Sequence, residues 1–149
     1  MSTFPDACVV DASVGIKLIL EETHTEIVQQ YFERLNDSPP VIVYVPDLFF
    51  IECANILWKN VRRGDISLAD SLVGLNWLNT LSLPTASTAR LNEHAVEIGC
   101  ANSITAYDAT YVALAELLGV PLLTADNRLA AALTRSPYQV ITLDSIASS

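Results

Sequence analysis

Four carboxylates lie at positions where the sequence pattern does not predict ordinary solvated acids. Asp11 and Asp126 each follow a short apolar run that is typical of a buried strand. Glu52 and Asp108 instead lie among apolar residues at helical spacing, on helix faces that should point into a core. Other acids, such as Glu93, lie on polar helix faces and need no special role. These four residues are therefore the candidates for chemistry.

The two acids at strand ends have a structural alternative, because Asp is a preferred N-cap residue and a helix is predicted after each of them. Asp11 leads into Ala12 and Ser13, and Asp126 precedes a segment with Leu129 and Leu133 at helical spacing. Their position nevertheless favours function. Open parallel sheets bind ligands at the carboxyl ends of their strands, where the strand order changes direction.

The two acids on apolar helix faces need a partner, because charged side chains are rarely buried alone. The neighbours of Glu52 and of Asp108 one turn away are mostly apolar: Leu48, Phe49 and Ile56 for the first, and Ile104, Tyr111, Val112 and Ala115 for the second. The structural alternative for each acid is a buried salt bridge. The functional interpretation is a bound metal ion.

Considered together, the four acids favour a metal site. Four converging carboxylates would repel one another and raise one another's pKa values, and a divalent cation would remove that repulsion. An all-oxygen ligand set suits Mg²⁺ or Mn²⁺ rather than zinc or copper. Such an ion can activate water and hydrolyse phosphodiesters. The two histidines, His24 and His94, have no partner at metal-ligand spacing and are predicted to lie at the surface.

The elements that must position these acids alternate between strands and helices. β-Branched runs predict strands at 7–10, 41–45, 122–124 and 139–143, with a weaker one near 81–83. Helices are predicted at 23–35, after Asp47 to Arg63, after Ser67 to about Leu81, after Ser87 or Thr88 to about Gly99, and after Ser103 or Thr105 to Gly119. This alternation predicts a three-layer α/β/α fold with a central, mostly parallel five-stranded sheet, in a single domain over residues 1–149.

Composition indicates a folded chain that needs no cross-links. The 149 residues are 51% hydrophobic, which is enough to form a core. The three cysteines lack any C-x-x-C pair and are expected to be buried free thiols. No stretch predicts a signal peptide or a membrane span, so we expect a cytoplasmic protein without membrane association.

Four segments resemble the motifs of PIN-domain ribonucleases. The opening VVDAS at 9–13 resembles their first motif, and IECAN at 51–55 resembles the second. The segments AYDATYVALA at 106–115 and LLTADNRL at 122–129 are similar, in spacing and flanking residues, to the third and fourth motifs of VapC-like toxins. The resemblance covers almost the whole chain.

The resemblance implies specific chemistry and partners. It implies that Asp11, Glu52, Asp108 and Asp126 bind Mg²⁺ or Mn²⁺ and that the enzyme cleaves RNA endonucleolytically. It also implies that the hydroxyl of Thr124 orders the site, with a plain β-branched strand residue as the alternative. The expected partners are an RNA substrate, a small basic antitoxin that inserts basic residues at the acidic site, and a second copy in a homodimer.

The net charge of −9 is unusual for a protein that binds RNA, because it repels a polyanion at long range. The candidate phosphate contacts are few: Lys17, Lys59, Arg62, Arg63 and Arg128. Two other functions therefore stay open. One is an Asp-dependent α/β phosphatase or phosphotransfer domain with Asp11 as nucleophile, although Ser13 stands where such a site would want a second acid. The other is a catalytically weak PIN-like module that only binds its partner.

Overall fold

A five-stranded sheet lies at the centre of the computed structural model, which describes residues 3–149. Every strand pair is parallel, and the spatial order is β3-β2-β1-β4-β5. The strands are β1 Ala7–Val10, β2 Ile42–Pro46, β3 Thr85–Ala86, β4 Leu122–Thr124 and β5 Val140–Thr142. The prediction of a parallel five-stranded sheet is confirmed.

Helices cover both faces of this sheet. In β1 the consecutive residues Cys8, Val9 and Val10 are all fully buried. Because successive strand side chains point to opposite faces, this burial requires a layer on each side, as the α/β/α prediction stated. The helices within residues 3–149 are α1 Ala12–Gly15, α2 Thr25–Glu33, α3 Leu48–Arg63, α4 Leu68–Leu78, α5 Asn92–Asn102, α6 Ala106–Leu118, α7 Asn127–Ala132 and α8 Leu143–Ala147. None of them is both long and apolar enough to cross a bilayer.

The strand order reverses direction between β1 and β4. From β1 the chain builds outward through β2 and β3, and it then returns to place β4 on the other side of β1. The carboxyl ends of β1 and β4 are held together by the backbone, because the N–H of Asp11 donates to the carbonyl of Leu123 at 3.4 Å. A ligand site is expected at this edge, between Asp11 and the loop that follows Thr124.

Several predicted helix boundaries are confirmed by their capping residues. Ser67 caps α4 and Thr105 caps α6, each by accepting the N–H three residues ahead. Gly64 and Gly119 end α3 and α6 in the left-handed conformation that glycine adopts without strain.

The predicted capping role of Asp47 is wrong. Asp47 stands at the N-terminal boundary of α3, but its carboxylate accepts hydrogen bonds from the backbone N–H and the hydroxyl of Thr88. The hydroxyl of Thr88 in turn accepts the N–H of Leu48 at 3.2 Å. A residue from a distant loop therefore caps α3, and Thr88 does not open an α-helix. It begins a 3-10 turn that precedes α5.

The weak strand predicted near 81–83 is also wrong. There the N–H groups of Leu81 and Leu83 are bonded locally, to the carbonyls of Leu78 and Leu81, so they cannot join a sheet. The edge strand forms just beyond Pro84, at Thr85–Ala86. The cysteine prediction holds for Cys8 and Cys53, whereas Cys100 is exposed.

Candidate active site

Asp11 is the most buried of the four candidate acids, and two hydroxyl groups hold it. Ser13 donates to its Oδ1 and Thr124 donates to its Oδ2, both at 2.5 Å. The N–H of Val14 also reaches Oδ1, at 3.3 Å, so Asp11 is the N-cap of α1 as well. The capping alternative and the candidate functional role thus describe the same side chain.

The two hydroxyl groups connect Asp11 to the end of β4. The Oγ1 of Thr124 accepts the N–H of Asp126 at 3.0 Å, and the Oγ of Ser13 accepts the N–H of Ala125 at 2.9 Å. Since each hydroxyl has one proton and uses it on Asp11, its orientation is determined by its two partners. Ser13 was not predicted as a site residue. Its place two residues after a strand-end Asp is the only sequence signal that points to it.

Burial raises the pKa of Asp11 to about 6. The hydrogen bonds from Ser13, Thr124 and Val14 act in the opposite direction, because they stabilise the carboxylate. The negative charge of Asp108 adds to the increase. Ionised Asp11 therefore lowers the stability of the folded protein unless a cation lies nearby.

Glu52 lies on α3 and accepts a hydrogen bond from the hydroxyl of Tyr111 on α6, at 2.5 Å. Burial raises the pKa of Glu52, Tyr111 lowers it, and the charge of Asp108 raises it further. Tyr111 is itself buried and was predicted only as an apolar neighbour of Asp108. A tyrosine can serve both roles because its ring packs in the core while its hydroxyl bonds a polar partner.

Asp108 is the electrostatic centre of the group. It lies in the first turn of α6, and its charge raises the pKa of both Asp11 and Glu52. Its own pKa is raised by burial and then by the charge of Asp126. Within residues 3–149 none of the four acids forms an ion pair with Lys, Arg or His. The salt-bridge alternative therefore fails for the described part of the chain.

Asp126 is the N-cap of α7. Its Oδ1 accepts the N–H groups of Arg128 and Leu129, at 2.9 and 3.1 Å. The capping prediction is confirmed, and the carboxylate still lies close enough to Asp108 to raise that residue's pKa.

The four acids lie near one another, but their carboxylates do not converge on one point. Among residues 3–149, no three His, Cys, Asp or Glu side chains are arranged so that they could hold one ion. Three of the carboxylates instead accept hydrogen bonds from separate donors, Asp11 from two hydroxyl groups, Glu52 from Tyr111 and Asp126 from two backbone N–H groups. The donor set itself is all oxygen, as Mg²⁺ and Mn²⁺ prefer, and its uncompensated charge fits a divalent cation.

The approach of α1 to α3 depends on Gly15. A Cβ atom at this position would lie 2.4 Å from two carbons of the Phe49 ring, which is shorter than any real contact. Because Phe49 is fully buried on α3, its ring cannot move aside easily. Gly15 thus lets the helix that follows Asp11 pack against the helix that carries Glu52.

The candidate phosphate contacts differ in their surroundings. Lys17 is buried, and its Nζ lies 3.1 Å from Glu22, so it is occupied by an ion pair. Lys59 lines a groove together with Glu52, as their spacing on α3 predicts. Arg62 lies over the ring of Trp58.

Within residues 3–149, neither histidine forms a hydrogen bond or an ion pair with any of the four acids. His94 is exposed, as predicted, and bonds Glu116. His24 is only half-buried and bonds Asp144 at 2.7 Å.

Comparison with known proteins identifies the family. Residues 8–132 match the PIN domain. Ribonuclease VapC3 of Pyrobaculum aerophilum is 34% identical over 124 residues, which cover 82% of this chain and 91% of that protein. The crystal structure of PAE2754 from Pyrobaculum aerophilum has a TM-score of 0.70 at 21% identity and covers 95% of this chain and 87% of that one.

A second solved structure has the same fold. It is VapC20 of Mycobacterium tuberculosis, a toxin that cleaves the sarcin–ricin loop. Its TM-score is 0.63 at 17% identity, and the match covers 84% of this chain and 94% of that one. The fold, the family match and the curated relatives, VapC3 among them, agree, and this chain belongs to the PIN-domain family of VapC ribonucleases.

Proposed function

We propose that this chain is a Mg²⁺- or Mn²⁺-dependent endoribonuclease that hydrolyses RNA phosphodiesters. One observation carries the proposal. Asp11, Glu52 and Asp108 are buried or half-buried acids whose pKa values are all raised, and no cation of residues 3–149 compensates them. A divalent ion is the ligand that would relieve this repulsion.

The ion would be held by Asp11, Glu52, Asp108 and Asp126. When bound, it would lower the pKa of a water molecule to form hydroxide and would neutralise charge on the phosphate. The chain's own residues supply orientation. Thr124 and Ser13 hold both oxygens of Asp11, and Tyr111 holds one oxygen of Glu52. These donors favour the ionised carboxylates that a metal requires.

RNA is the proposed substrate because VapC3, one of the curated relatives, is named a ribonuclease and VapC20 is described as cleaving the sarcin–ricin loop. VapC20 is also described as a toxin, and we extend that role to this chain. A toxin needs a neutralising partner. The net charge of −9 and the cluster of uncompensated acids favour a small basic antitoxin, whose cations would occupy the acidic site.

The phosphatase or phosphotransfer alternative has no support from the site. Such a site would want a second acid two residues after Asp11, but Ser13 stands there and donates to Asp11. A cleavage assay distinguishes the proposed nuclease from the other alternative, a module that only binds its partner.

The test is cleavage of defined RNAs in the presence of Mg²⁺ or Mn²⁺ and in chelator. We expect cleavage with metal only, and its loss in an Asp108→Asn variant. Glu21→Gln serves as the matched control, because Glu21 is an exposed acid away from the cluster. Undiminished cleavage after exhaustive chelation would contradict the metal proposal. No cleavage of any RNA would favour the binding-only alternative.

The partner proposal has its own test. Purification of the chain from its native host should yield a small basic companion protein, and the association should weaken as salt increases. We also propose that the chain forms a homodimer, and sedimentation of the purified chain tests this. Recovery of only the free chain would remove the antitoxin from the proposal.

A further inference from the structure

Asp144 follows the strand next to the one that precedes Asp126, and it is not among the four candidate ligands. In the parallel pair of β4 and β5, Thr124 is the partner of Thr142. Asp126 lies two residues beyond the first threonine, and Asp144 lies two residues beyond the second. The register therefore brings the starts of α7 and α8 to the same edge of the sheet, which is the edge where a ligand is expected.

Each carboxylate oxygen of Asp144 has a partner on another element. The side-chain amide of Asn127 on α7 donates to Oδ2 at 2.7 Å, and Nε2 of His24, which precedes α2, lies 2.7 Å from Oδ1. These hydrogen bonds lower the pKa of Asp144, the one from Asn127 most strongly. Hydrogen bonds to an ionised carboxylate are stronger than those between neutral groups. Asp144 thus joins α7, α8 and the loop before α2.

The contact with His24 is made from an unfavourable backbone conformation. His24 has a φ of 68°, in the left-handed region that few residues other than glycine adopt. Such a conformation persists where surrounding contacts hold it, and the hydrogen bond to Asp144 is one of these contacts. Because the imidazole occupies Oδ1 of Asp144, the other oxygen is directed to Asn127.

Asn127 connects this arrangement to Asp126. It is the first residue of α7 and directly follows Asp126, which caps the same helix. The cap is made by Oδ1 of Asp126, which accepts the N–H groups of Arg128 and Leu129. The direction of the Asp126 carboxylate therefore follows the position of the first turn of α7, and Asp144 holds that turn through Asn127.

We propose that Asp144 is a positioning residue of the candidate metal site. By holding Asn127 it fixes the first turn of α7, and with it the direction in which Asp126 presents its carboxylate to a divalent ion. Asp144 does not contact the ion itself. This inference rests on the proposed metal-dependent nuclease and adds to it a residue that acts through another. Hydrogen-bonded groups outside the ligand set commonly control metal affinity in this way.

The alternative is that Asp144 only ties α8 to the loop before α2. In that case the contact with His24 would carry the effect, and the contact with Asn127 would not. The two roles differ in a measurable way. Positioning predicts a change at Asp126 and in metal affinity, whereas the tie predicts a change in stability alone.

Amide hydrogen exchange in chelator tests the positioning without the metal. In Asp144→Ala, the N–H groups of Arg128 and Leu129 should exchange up to about tenfold faster, which is the effect of losing one hydrogen bond. Asp70→Ala is the matched control, because Asp70 is likewise an exposed acid in the first turn of a helix, α4. The control should leave the exchange of both amides unchanged.

Titration with Mn²⁺ measures the consequence for the site. Asp144→Ala should weaken Mn²⁺ binding roughly tenfold, the lower end of the effect of groups that hydrogen-bond around metal ligands. Asn127→Ala should weaken it as much, and the double variant should add nothing further. His24→Ala should have a smaller effect, because Asn127 keeps its acceptor.

A conservative variant separates the hydrogen bond from the charge. Asp144→Asn removes the negative charge, but its amide oxygen can still accept from Asn127. Its amide N–H can donate to His24 at about pH 8, where an ordinary imidazole is neutral. We therefore expect Asp144→Asn to retain the Mn²⁺ affinity that Asp144→Ala loses.

Four results would overturn the inference, and they are distinguishable. Exchange rates or a Mn²⁺ affinity equal to those of Asp70→Ala would remove Asp144 from the site while the nuclease proposal stands. A loss of affinity in Asp144→Asn as large as in Asp144→Ala would assign the effect to charge. A larger effect of His24→Ala than of Asn127→Ala would favour the tie to the loop. An unmodified chain that neither binds Mn²⁺ nor cleaves RNA would overturn the proposed function, and the role of Asp144 with it.

Discussion

The hydroxyl of Thr124 donates to Asp11 at 2.5 Å while its oxygen accepts the N–H of Asp126 at 3.0 Å. One buried atom therefore couples the acids that follow two neighbouring strands. Ser13 repeats the arrangement at the other oxygen of Asp11, with the N–H of Ala125. The orientation of the Asp11 carboxylate and the position of the Asp126 backbone are thus determined at the junction of β1 and β4.

Thr124→Val should lower both stability and activity, because valine has the shape of threonine without the hydroxyl. The N–H of Asp126 then loses its acceptor and Asp11 loses a donor. Leaving such groups unsatisfied costs about 1–3 kcal/mol in the free energy of unfolding, measured with urea. Cleavage should fall with it. Thr124→Ser keeps the hydroxyl and should retain most of both. Equal stability of the valine variant and the unmodified chain would contradict this account.

Glu52→Gln should abolish cleavage without destabilising the metal-free protein. Glutamine removes a charge that is half-buried and repelled by Asp108, and its oxygen can still accept from Tyr111. Melting temperatures in chelator should therefore stay level or rise. Glu21→Gln, at an exposed acid, controls for the loss of charge alone. A large loss of stability with metal-dependent cleavage retained would remove Glu52 from the site.

The metal-free protein should become relatively more stable as the pH falls toward 4, through Asp11. The pKa of this side chain is about 6 in the folded protein against an ordinary value of 3.8, so the folded state binds the proton more readily than the unfolded state. The ionised side chain costs up to about 3 kcal/mol at pH 7, and this cost disappears as the pH falls through 6 to below 4. Urea unfolding in chelator should show the effect as a stability difference between the unmodified chain and Asp11→Asn that changes across this range. A constant difference would contradict it.

Metal affinity should have the opposite pH dependence. A proton on Asp11 competes with the ion, so affinity should decrease about tenfold per pH unit below 6. Titration with Mn²⁺ between pH 5 and 8 measures this. Affinity that is constant over the range would exclude Asp11 as a ligand.

Gly15→Ala should destabilise the protein although alanine suits a helix better. The backbone of Gly15 is right-handed helical, so alanine would ordinarily stabilise it. The new Cβ would instead clash with Phe49, and overpacking of this kind costs about 1–3 kcal/mol. Adding Phe49→Leu should restore part of the loss, which a double-mutant cycle detects. Independent, additive effects of the two changes would contradict the contact.

The sequence pattern was sufficient for the parallel sheet and for the position of the acids, because strand ends and apolar helix faces are local features. Thr105, Ser67 and the two helix-ending glycines were predicted for the same reason. Ser13 could not be predicted, because its role depends on an N–H group 112 residues away. The hydrogen bond of Tyr111 to Glu52 could not be predicted either, because the tyrosine ring fits an apolar helix face as well as any other core side chain.

The predictions were wrong where a residue distant in sequence makes a contact that a local residue was predicted to make. Asp47 has the sequence features of a helix cap, yet Thr88 from another loop fills that role. β3 has only two residues, too few for any periodicity to indicate it. The orientation of the Asp11 and Glu52 carboxylates likewise could not be predicted from the sequence, since their donors Thr124 and Tyr111 lie in distant segments.

The strand order also determines when activity can first appear during synthesis. The hydroxyl of Thr124 that holds Asp11 is translated 113 residues after Asp11 itself. At about 5–20 residues per second this delay is about 6–23 s. Until then β1 has β2 as a neighbour but lacks β4. Asp108 is made only 16 residues before Thr124, and Asp126 is made after it. The acid cluster therefore cannot assemble on a ribosome until the segment with Thr124 and Asp126 has been made, and a product that ends before Thr124 lacks the site.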